Sequence, residues 1–178
     1  MIIASKVRVL RRMSLVAFVP LVLGLYSPAL LAAAFVVNST IDAPDANPGD
    51  GVCETTPGNG VCTLRAAMQE TRALAGADTI IVPSGVYQLT IPRDNTVFTD
   101  AAGGLITGGD LTVLGSGMDS TIIDGNGLDS VLITVPPGTV QLSGLTIRNG
   151  GNTRDGGGIL NAADVLAPDV PMPRLAAL

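Results

Sequence analysis

Residues 77–91, ADTIIVPSGVYQLTI, hold two short runs of aliphatic residues on either side of a Pro-Ser-Gly turn. The same combination returns in 110–117 (DLTVLGSG), 120–127 (STIIDGNG), 130–138 (SVLITVPPG) and 139–150 (TVQLSGLTIRNG). Valine and isoleucine favour strands, whereas glycine, proline and asparagine favour turns. The region from residue 77 onward therefore predicts a series of short strands with no further helix.

Three tripeptides in this region share one pattern, with threonine between two aliphatic residues: Leu89–Ile91, Leu111–Val113 and Leu145–Ile147. In a strand the outer two residues face one side and the threonine faces the other. The steps from Leu89 to Leu111 and from Leu111 to Leu132 are 22 and 21 residues, the size of one coil of a parallel β-helix. The step to Leu145 is shorter. The spacing predicts an all-β parallel β-helix solenoid with an irregular repeat.

The amino-acid composition favours the same architecture. Hydrophobic residues make up 47% of the chain, but aromatic residues only 3%. A narrow stack of valine, isoleucine and leucine leaves little room for rings. The alternatives, a β-sandwich or an up-and-down barrel, are expected to show a more aromatic core and tighter hairpin signals.

One helical pattern precedes the strands, in the stretch 62–76. Its core-facing residues recur at helical spacing: Leu64, Ala67, Met68, Thr71 and Leu74. Gly76 follows where a C-terminal cap is expected. The pattern predicts an amphipathic helix of about three turns with a narrow apolar stripe.

The first 34 residues have the pattern of a secretory signal peptide. Four basic residues, Lys6, Arg8, Arg11 and Arg12, precede an apolar run from Met13 to Leu25. Ala32 and Ala34 then form an A-x-A site, which predicts cleavage after Ala34. The alternative is a membrane anchor, but Pro20 and Pro28 interrupt a run that is already short for a span. We therefore expect no transmembrane segment in the mature chain.

Charge and residue usage exclude several function classes. Without residues 1–34 the chain keeps six cations and fifteen anions, a net charge of −9, and it contains no lysine. Such a surface does not suit nucleic acid or anionic lipid. The absence of histidine excludes Ser-His-Asp and Cys-His nucleophiles and histidine-ligated zinc.

The acidic stretch 42–61 raises the question of a cofactor. Asp42, Asp45, Asn47 and Asp50 offer oxygen ligands of the kind calcium prefers. The stretch fails the EF-hand template, because no glutamate stands at the twelfth position. A solvated acidic turn is the favoured interpretation, so we predict no metal site and retain calcium as the one cofactor to consider.

The two cysteines, Cys53 and Cys62, are predicted to form a disulfide. Exported chains fold in oxidising compartments, where paired cysteines are more often structural than metal-binding or redox-active. Two free thiols are the alternative.

Residues 50–67, DGVCETTPGNGVCTLRAA, resemble the CSLREA-type N-terminal module of exported bacterial proteins. Its Cys-Ser-Leu-Arg-Glu-Ala motif is matched by Cys62, Thr63, Leu64, Arg65 and Ala67, whereas Ala66 departs from the glutamate. In the family form, serine and glutamate make a capping box at the start of a helix. Thr63 keeps the first half of that box and Ala66 lacks the second. The resemblance implies that the stretch from Thr63 to Ala67 is a structural helix cap.

Two further stretches, 77–91 and 145–161, resemble right-handed parallel β-helix proteins of pectin-lyase-like architecture and polymorphic outer-membrane-type repeats. The resemblance covers roughly 36–163. It implies a right-handed parallel β-helix solenoid with a short N-terminal capping α-helix, in a protein that is secreted, periplasmic or on the outer surface of a bacterial cell. It implies no activity, because one solenoid serves lyases, hydrolases, adhesins and stalks.

Two functions fit these features: non-enzymatic adhesion or glycan contact, and a polysaccharide lyase or glycoside hydrolase acting on acidic polysaccharide. The candidate catalytic residues for the second are Asp110, Asp119, Asp124, Asp129, Arg148, Arg154 and Asp155. Most of these aspartates neighbour glycine, as turn residues do, and a sugar cleft normally offers stacking rings, which are scarce here. We therefore favour the non-enzymatic function, assign no catalytic residue, and expect an extracellular polysaccharide or surface as the partner.

The chain divides into a signal peptide (1–34), a capping module of disulfide loop and helix (35–76), β-helix coils (77–164) and an irregular proline-rich tail (165–178). The tail abandons the strand pattern and carries three prolines. A solenoid needs a cap on its last coil. We therefore expect a fold that is incomplete at its C-terminus, in a truncated or frame-altered version of a longer protein.

Overall fold

A computed structural model describes residues 32–94, 99–151 and 157–162, which form one α-helix and ten β-strands. The helix, α1, is Leu64–Ala73. The strands are β1 Ala34–Val36, β2 Ala77–Val82, β3 Gly85–Gln88, β4 Leu105–Gly108, β5 Asp110–Gly115, β6 Thr121–Asp124, β7 Leu132–Val135, β8 Val140–Ser143, β9 Thr146–Arg148 and β10 Ile159–Asn161. The leader up to residue 31, the candidates Arg154 and Asp155, and the tail 165–178 lie outside the described residues.

The strands pair in parallel in three sheets. The first sheet has the order β1-β2-β5-β8, the second β3-β6-β9 and the third β4-β7-β10. From β2 to β7, each strand pairs with the strand three places further along the chain. Consecutive strands from β2 onward therefore lie in different sheets, and the turns between them carry the chain from one sheet to the next.

The predicted fold class is wrong. The described chain has three separate parallel sheets and one helix, and it does not show the single β-helix that the repeat predicted. Leu111–Val113 lies in β5 of the first sheet and Leu132 in β7 of the third, so the 21-residue step does not join paired strands. True partners are further apart and unevenly spaced, from 24 residues (Ile122 with Thr146) to 45 residues (Ala34 with Thr79).

The repeat failed to identify paired strands because it was based on the alternation of aliphatic and polar residues. Any strand with one buried face alternates aliphatic and polar residues. β2 and β5 both bury every second residue in this way. Alternation therefore locates a strand and its inner face, but it carries no information about which strand is the hydrogen-bonding neighbour.

The inner faces of the sheets share one core with α1. Its buried members include Phe35, Val37, Leu64, Ala67, Met68, Ile80, Val82, Tyr87, Leu89, Leu105, Leu111, Val113, Ile123, Val131 and Leu132. A smaller cluster, with Ile106, Ile133 and Ala162, involves the other face of the third sheet. Aliphatic residues dominate both clusters, as the low aromatic content led us to expect.

The helix α1 packs against β4 of the third sheet and β2 of the first sheet. Thr63 is its N-cap, and the Thr63 Oγ1 accepts a hydrogen bond from the Ala66 N–H at 3.0 Å. The C-cap is Leu74, so Gly76 lies beyond the end of the helix. Every residue from Leu64 to Thr71 is buried, which corrects the prediction of a narrow apolar stripe. The polar side chains on this helix therefore need partners inside the protein.

Candidate functional site

The arginine of the helix start, Arg65, is held in a buried ion pair with Asp42. Arg65 Nε lies 2.6 Å from Asp42 Oδ1, and the two side chains are 1% and 2% exposed. The guanidinium also donates to the carbonyl oxygens of Asp100 and Gly103 at 3.2 and 2.8 Å. Asp42 Oδ2 in turn accepts from the Thr90 N–H at 2.7 Å. All these contacts are structural, because they join two loops, the one between β1 and α1 and the one between β3 and β4, to α1 and leave no open side for a substrate.

A second buried group on α1, Glu70, organises the acidic loop. Its two carboxylate oxygens accept hydrogen bonds from the N–H groups of Gly49 and Gly51, at 2.7 and 2.8 Å. Burial raises the pKa of the Glu70 carboxyl above its ordinary value, and these two hydrogen bonds oppose that rise. The loop thus closes around a side chain that the sequence did not single out.

The residues considered for calcium do not form a site. Asp42 is paired with Arg65, and the Asp45 carboxylate accepts from the N–H groups of Asn47 and Glu54. Asp50 Oδ1 accepts from the Val52 N–H at 2.8 Å. Across the described residues, no three acidic or cysteine side chains are arranged to hold a metal ion. The oxygens of Asp45 and Asp50 are used within the loop, and those of Asp42 bind Arg65 of α1 and the Thr90 N–H.

The predicted disulfide between Cys53 and Cys62 is confirmed. It joins the acidic loop to the residue before Thr63, the N-cap of α1. Together with Glu70 and Arg65, it fixes a loop that has little regular secondary structure of its own. The loop, the disulfide and α1 form one structural unit.

The candidate catalytic aspartates that the structure describes lie at turns and strand ends. Asp110 begins β5 and accepts from the Thr139 N–H at 2.8 Å. Asp119 is exposed in the turn between β5 and β6. Asp129 is buried and lies 3.7 Å from Arg93 Nη1. The assignment of no catalytic residue stays a prediction.

One pair of candidates, Asp124 and Arg148, does come together. Arg148 Nε lies 2.9 Å from Asp124 Oδ2, and Asn149 donates to both carboxylate oxygens. The Asp124 carboxylate also accepts from the Asn126 N–H at 3.0 Å. This backbone hydrogen bond, with the Asn149 and Arg148 contacts, lowers the pKa of Asp124. The cluster joins the C-terminal ends of the paired strands β6 and β9.

A shallow depression lies beside the third sheet. Its lining includes Arg93, Asp94, Ile106, Asp129 and Ile133, and its volume is about 10 Å³. That is the space of about one water molecule. A sugar ring does not fit there, whereas an open sheet surface has room for a polysaccharide.

The first sheet offers such a surface, which we call the outer face. It consists of the outward side chains of four paired strands: Ala34, Val36, Ala77, Thr79, Ile81, Asp110, Thr112, Leu114, Gln141 and Ser143. The register places Val36, Ile81 and Leu114 in one row across three strands, and they are 55%, 41% and 39% exposed. Among these ten side chains only Asp110, at the start of β5, carries a charge. The sequence contained the alternation that creates this face, but only the register shows that the aliphatic residues align.

Comparisons with protein-family models, curated proteins and solved structures find no match for this chain. The resemblance to the CSLREA-type module therefore stays a prediction. Among the described residues, no helix has the length and apolar character needed to cross a membrane.

Proposed function

We propose that this chain is an exported, non-catalytic contact protein and that its outer face binds an extracellular polysaccharide. The observation that carries the proposal is the low charge of the outer face, where one of ten outward positions is charged, in a chain whose mature part has a net charge of −9. The one carboxylate, Asp110, lies at the start of β5 and accepts the Thr139 N–H, so a polymer that approaches the row of Val36, Ile81 and Leu114 meets no carboxylate within that row.

The outer face combines two kinds of contact. Val36, Ile81 and Leu114 provide apolar area, while Thr79 and Thr112 lie in the neighbouring row, two residues earlier in their strands. Paired strands are spaced by about 4.8 Å, so each row presents side chains at regular intervals across the sheet. A surface with regular rows of side chains and a single charge suits a repeating polymer better than a small soluble ligand, which needs an enclosing pocket.

Two features support the export. The leader pattern of residues 1–34 directs a chain across a membrane. The disulfide between Cys53 and Cys62 is of the kind that persists in oxidising compartments. Secretion, the periplasm and the outer surface of a bacterial cell all meet this condition.

The enzymatic alternative, a lyase or hydrolase, has less support. A hydrolase needs one carboxyl that stays protonated as a general acid, which requires a raised pKa. Asp124, the candidate with the densest set of contacts, has a lowered pKa and three kinds of hydrogen-bond donor already in place.

The test compares binding to immobilised polysaccharides, neutral and acidic, for the wild type and the double variant Ile81→Ser/Leu114→Ser. We expect at least about a tenfold loss of affinity for the double variant, since apolar contact at two central positions is removed. Val86→Ser is the matched control, because Val86 is equally exposed but lies on β3 of the second sheet.

Equal binding by the wild type and the double variant would refute the role of the outer face. Release of 4,5-unsaturated uronides or of new reducing ends from any polysaccharide would refute the non-catalytic function and favour the enzyme. Loss of binding in the control variant as well would show that the contact is not confined to the first sheet.

A further inference from the structure

The start of β2 contains a buried carboxylate whose partner is a backbone N–H near the leader. Asp78 is 2% exposed and faces inward. Its Oδ1 accepts a hydrogen bond from the N–H of Ala33 at 2.7 Å. The Ala33 carbonyl oxygen accepts in turn from the Thr79 N–H at 2.8 Å, which continues the pairing of β1 with β2.

A nearby cation would stabilise the buried carboxylate of Asp78. A carboxylate that is removed from water costs several kcal/mol unless a charge or several hydrogen bonds compensate for it. The chain after the leader has no lysine. The four described arginines, Arg65, Arg72, Arg93 and Arg148, form their ion pairs with other aspartates, and Arg154 and Arg174 lie outside the described residues.

We propose that a leader peptidase cuts between Ala32 and Ala33 and that the new α-ammonium group of Ala33 pairs with Asp78. In this hydrolysis the C–N bond of the Ala32–Ala33 peptide breaks, and water gives its hydroxyl to the Ala32 carbonyl carbon and its proton to the Ala33 nitrogen. The amine then takes a second proton from solvent, because an ordinary α-amino group is protonated below about pH 8. The atom that already lies 2.7 Å from Asp78 becomes a cation.

The contacts of Ala33 distinguish this cut from the one that the A-x-A pattern favours. Cleavage after Ala34 would remove both hydrogen bonds of Ala33 and the pairing of Ala34 with Thr79, one of the three pairs that hold β1. Cleavage after Ala32 also places a small residue directly before the cut, with Leu30 in the place of the first alanine of the A-x-A pattern, and it preserves all of these contacts. It puts a positive charge on the donor of a hydrogen bond whose acceptor is already a carboxylate, so the contact becomes an ion pair.

The first test is the N-terminus of the mature protein. The full chain is expressed with its own leader in an exporting bacterial host, and the product is analysed by intact mass and N-terminal sequencing. We expect the sequence to begin at Ala33. A product that begins at Phe35 or at any other residue, or that keeps its leader, overturns the proposal.

The second test measures the ion pair itself. The chain from Ala33 onward has no lysine, so its α-amine is the sole target of an amine-reactive reagent. The neutral amine is the reactive form, and a carboxylate at hydrogen-bond distance holds the proton on. We expect labelling of the folded wild type near pH 8 to be roughly tenfold slower than labelling of the Asp78→Asn variant.

Asp119→Asn, a change in an exposed turn, is the matched control and should label at the wild-type rate. Where Asp78→Asn fails to fold, the comparison is between wild-type protein with and without denaturant, and the same slowing is expected in the folded form. Equal labelling of the wild type and Asp78→Asn, or of folded and denatured wild type, would show that the α-amine does not meet Asp78 and would overturn the proposal.

Discussion

The segment 32–76 and the strand region 77–162 of this chain are held together in different ways. The first segment has one three-residue strand and one helix, and its loop is fixed by Arg65, Glu70 and the Cys53–Cys62 disulfide. The second has nine of the ten described strands, and its inner faces share an aliphatic core. Specific polar contacts organise one region, and repeated backbone pairing organises the other.

The difference follows from what each region does with its backbone groups. Strands satisfy their N–H and C=O groups through their neighbours, so their side chains need only be apolar on one face. The loop between β1 and α1 has few backbone partners of this kind, and the side chains of Glu70 and Asp45 accept from its N–H groups. Loss of one such side chain therefore leaves two backbone N–H groups of the loop without their acceptor, whereas loss of one aliphatic side chain leaves a local cavity.

The largest effect is expected for Arg65→Ala. Removing the cation leaves the Asp42 carboxylate buried and unpaired, and we expect a loss of about 3–5 kcal/mol in the free energy of unfolding. Urea unfolding followed by circular dichroism measures it. Arg72→Ala is the control, because its ion pair with Asp100 is partly exposed and should contribute about 0–1 kcal/mol. Similar losses for the two variants would show that burial of the ion pair does not set its contribution to stability.

A smaller effect is expected in the strand region. Val113 is fully buried in β5, and Val113→Ala should cost about 2 kcal/mol, from lost apolar burial and the cavity left behind. The next residue, Leu114, points outward, so Leu114→Ala should cost less than about 0.5 kcal/mol although it removes more atoms. Thermal unfolding of both variants measures the two losses in stability. A larger loss for Leu114→Ala would mean that the outer face is covered.

The smallest effects concern the pH dependence of stability. The contributions of Glu70 in the first region and Asp124 in the second should change with pH in opposite directions. Burial raises the pKa of Glu70 in the folded chain, so its contribution to stability is present below 4.5 and is lost as pH rises through the raised folded pKa. The pKa of Asp124 is lowered, so its contribution is present above 3.8 and is lost as pH falls through the lowered folded pKa.

Unfolding free energies measured from about pH 3 to pH 8 for the wild type, Glu70→Gln and Asp124→Asn separate these contributions. The difference between the wild type and Glu70→Gln should shrink as pH rises. The difference between the wild type and Asp124→Asn should grow over the acidic part of the range. The same slope for both differences would contradict the assignment.

Several elements could be predicted from the sequence because their signals are local. The disulfide followed from two cysteines in a chain with a predicted leader, and the helix from apolar residues spaced three and four apart between Thr63 and Leu74. The strands followed from aliphatic runs between glycine turns. The repeat failed because similar tripeptides fall in different sheets. The outer face could not be predicted from the sequence either, since no sequence pattern places Val36, Ile81 and Leu114 side by side.

The sequence by itself determined which residues form strands, which face of each strand is buried, and which two cysteines are joined. These properties depend on residues within one turn of helix, one strand or one short loop. The tertiary structure decided the division into three sheets, the pairing of Arg65 with Asp42, and the contact between Ala33 and Asp78. Each of these joins residues that are more than twenty positions apart, and the path of the chain through its turns sets which of them meet.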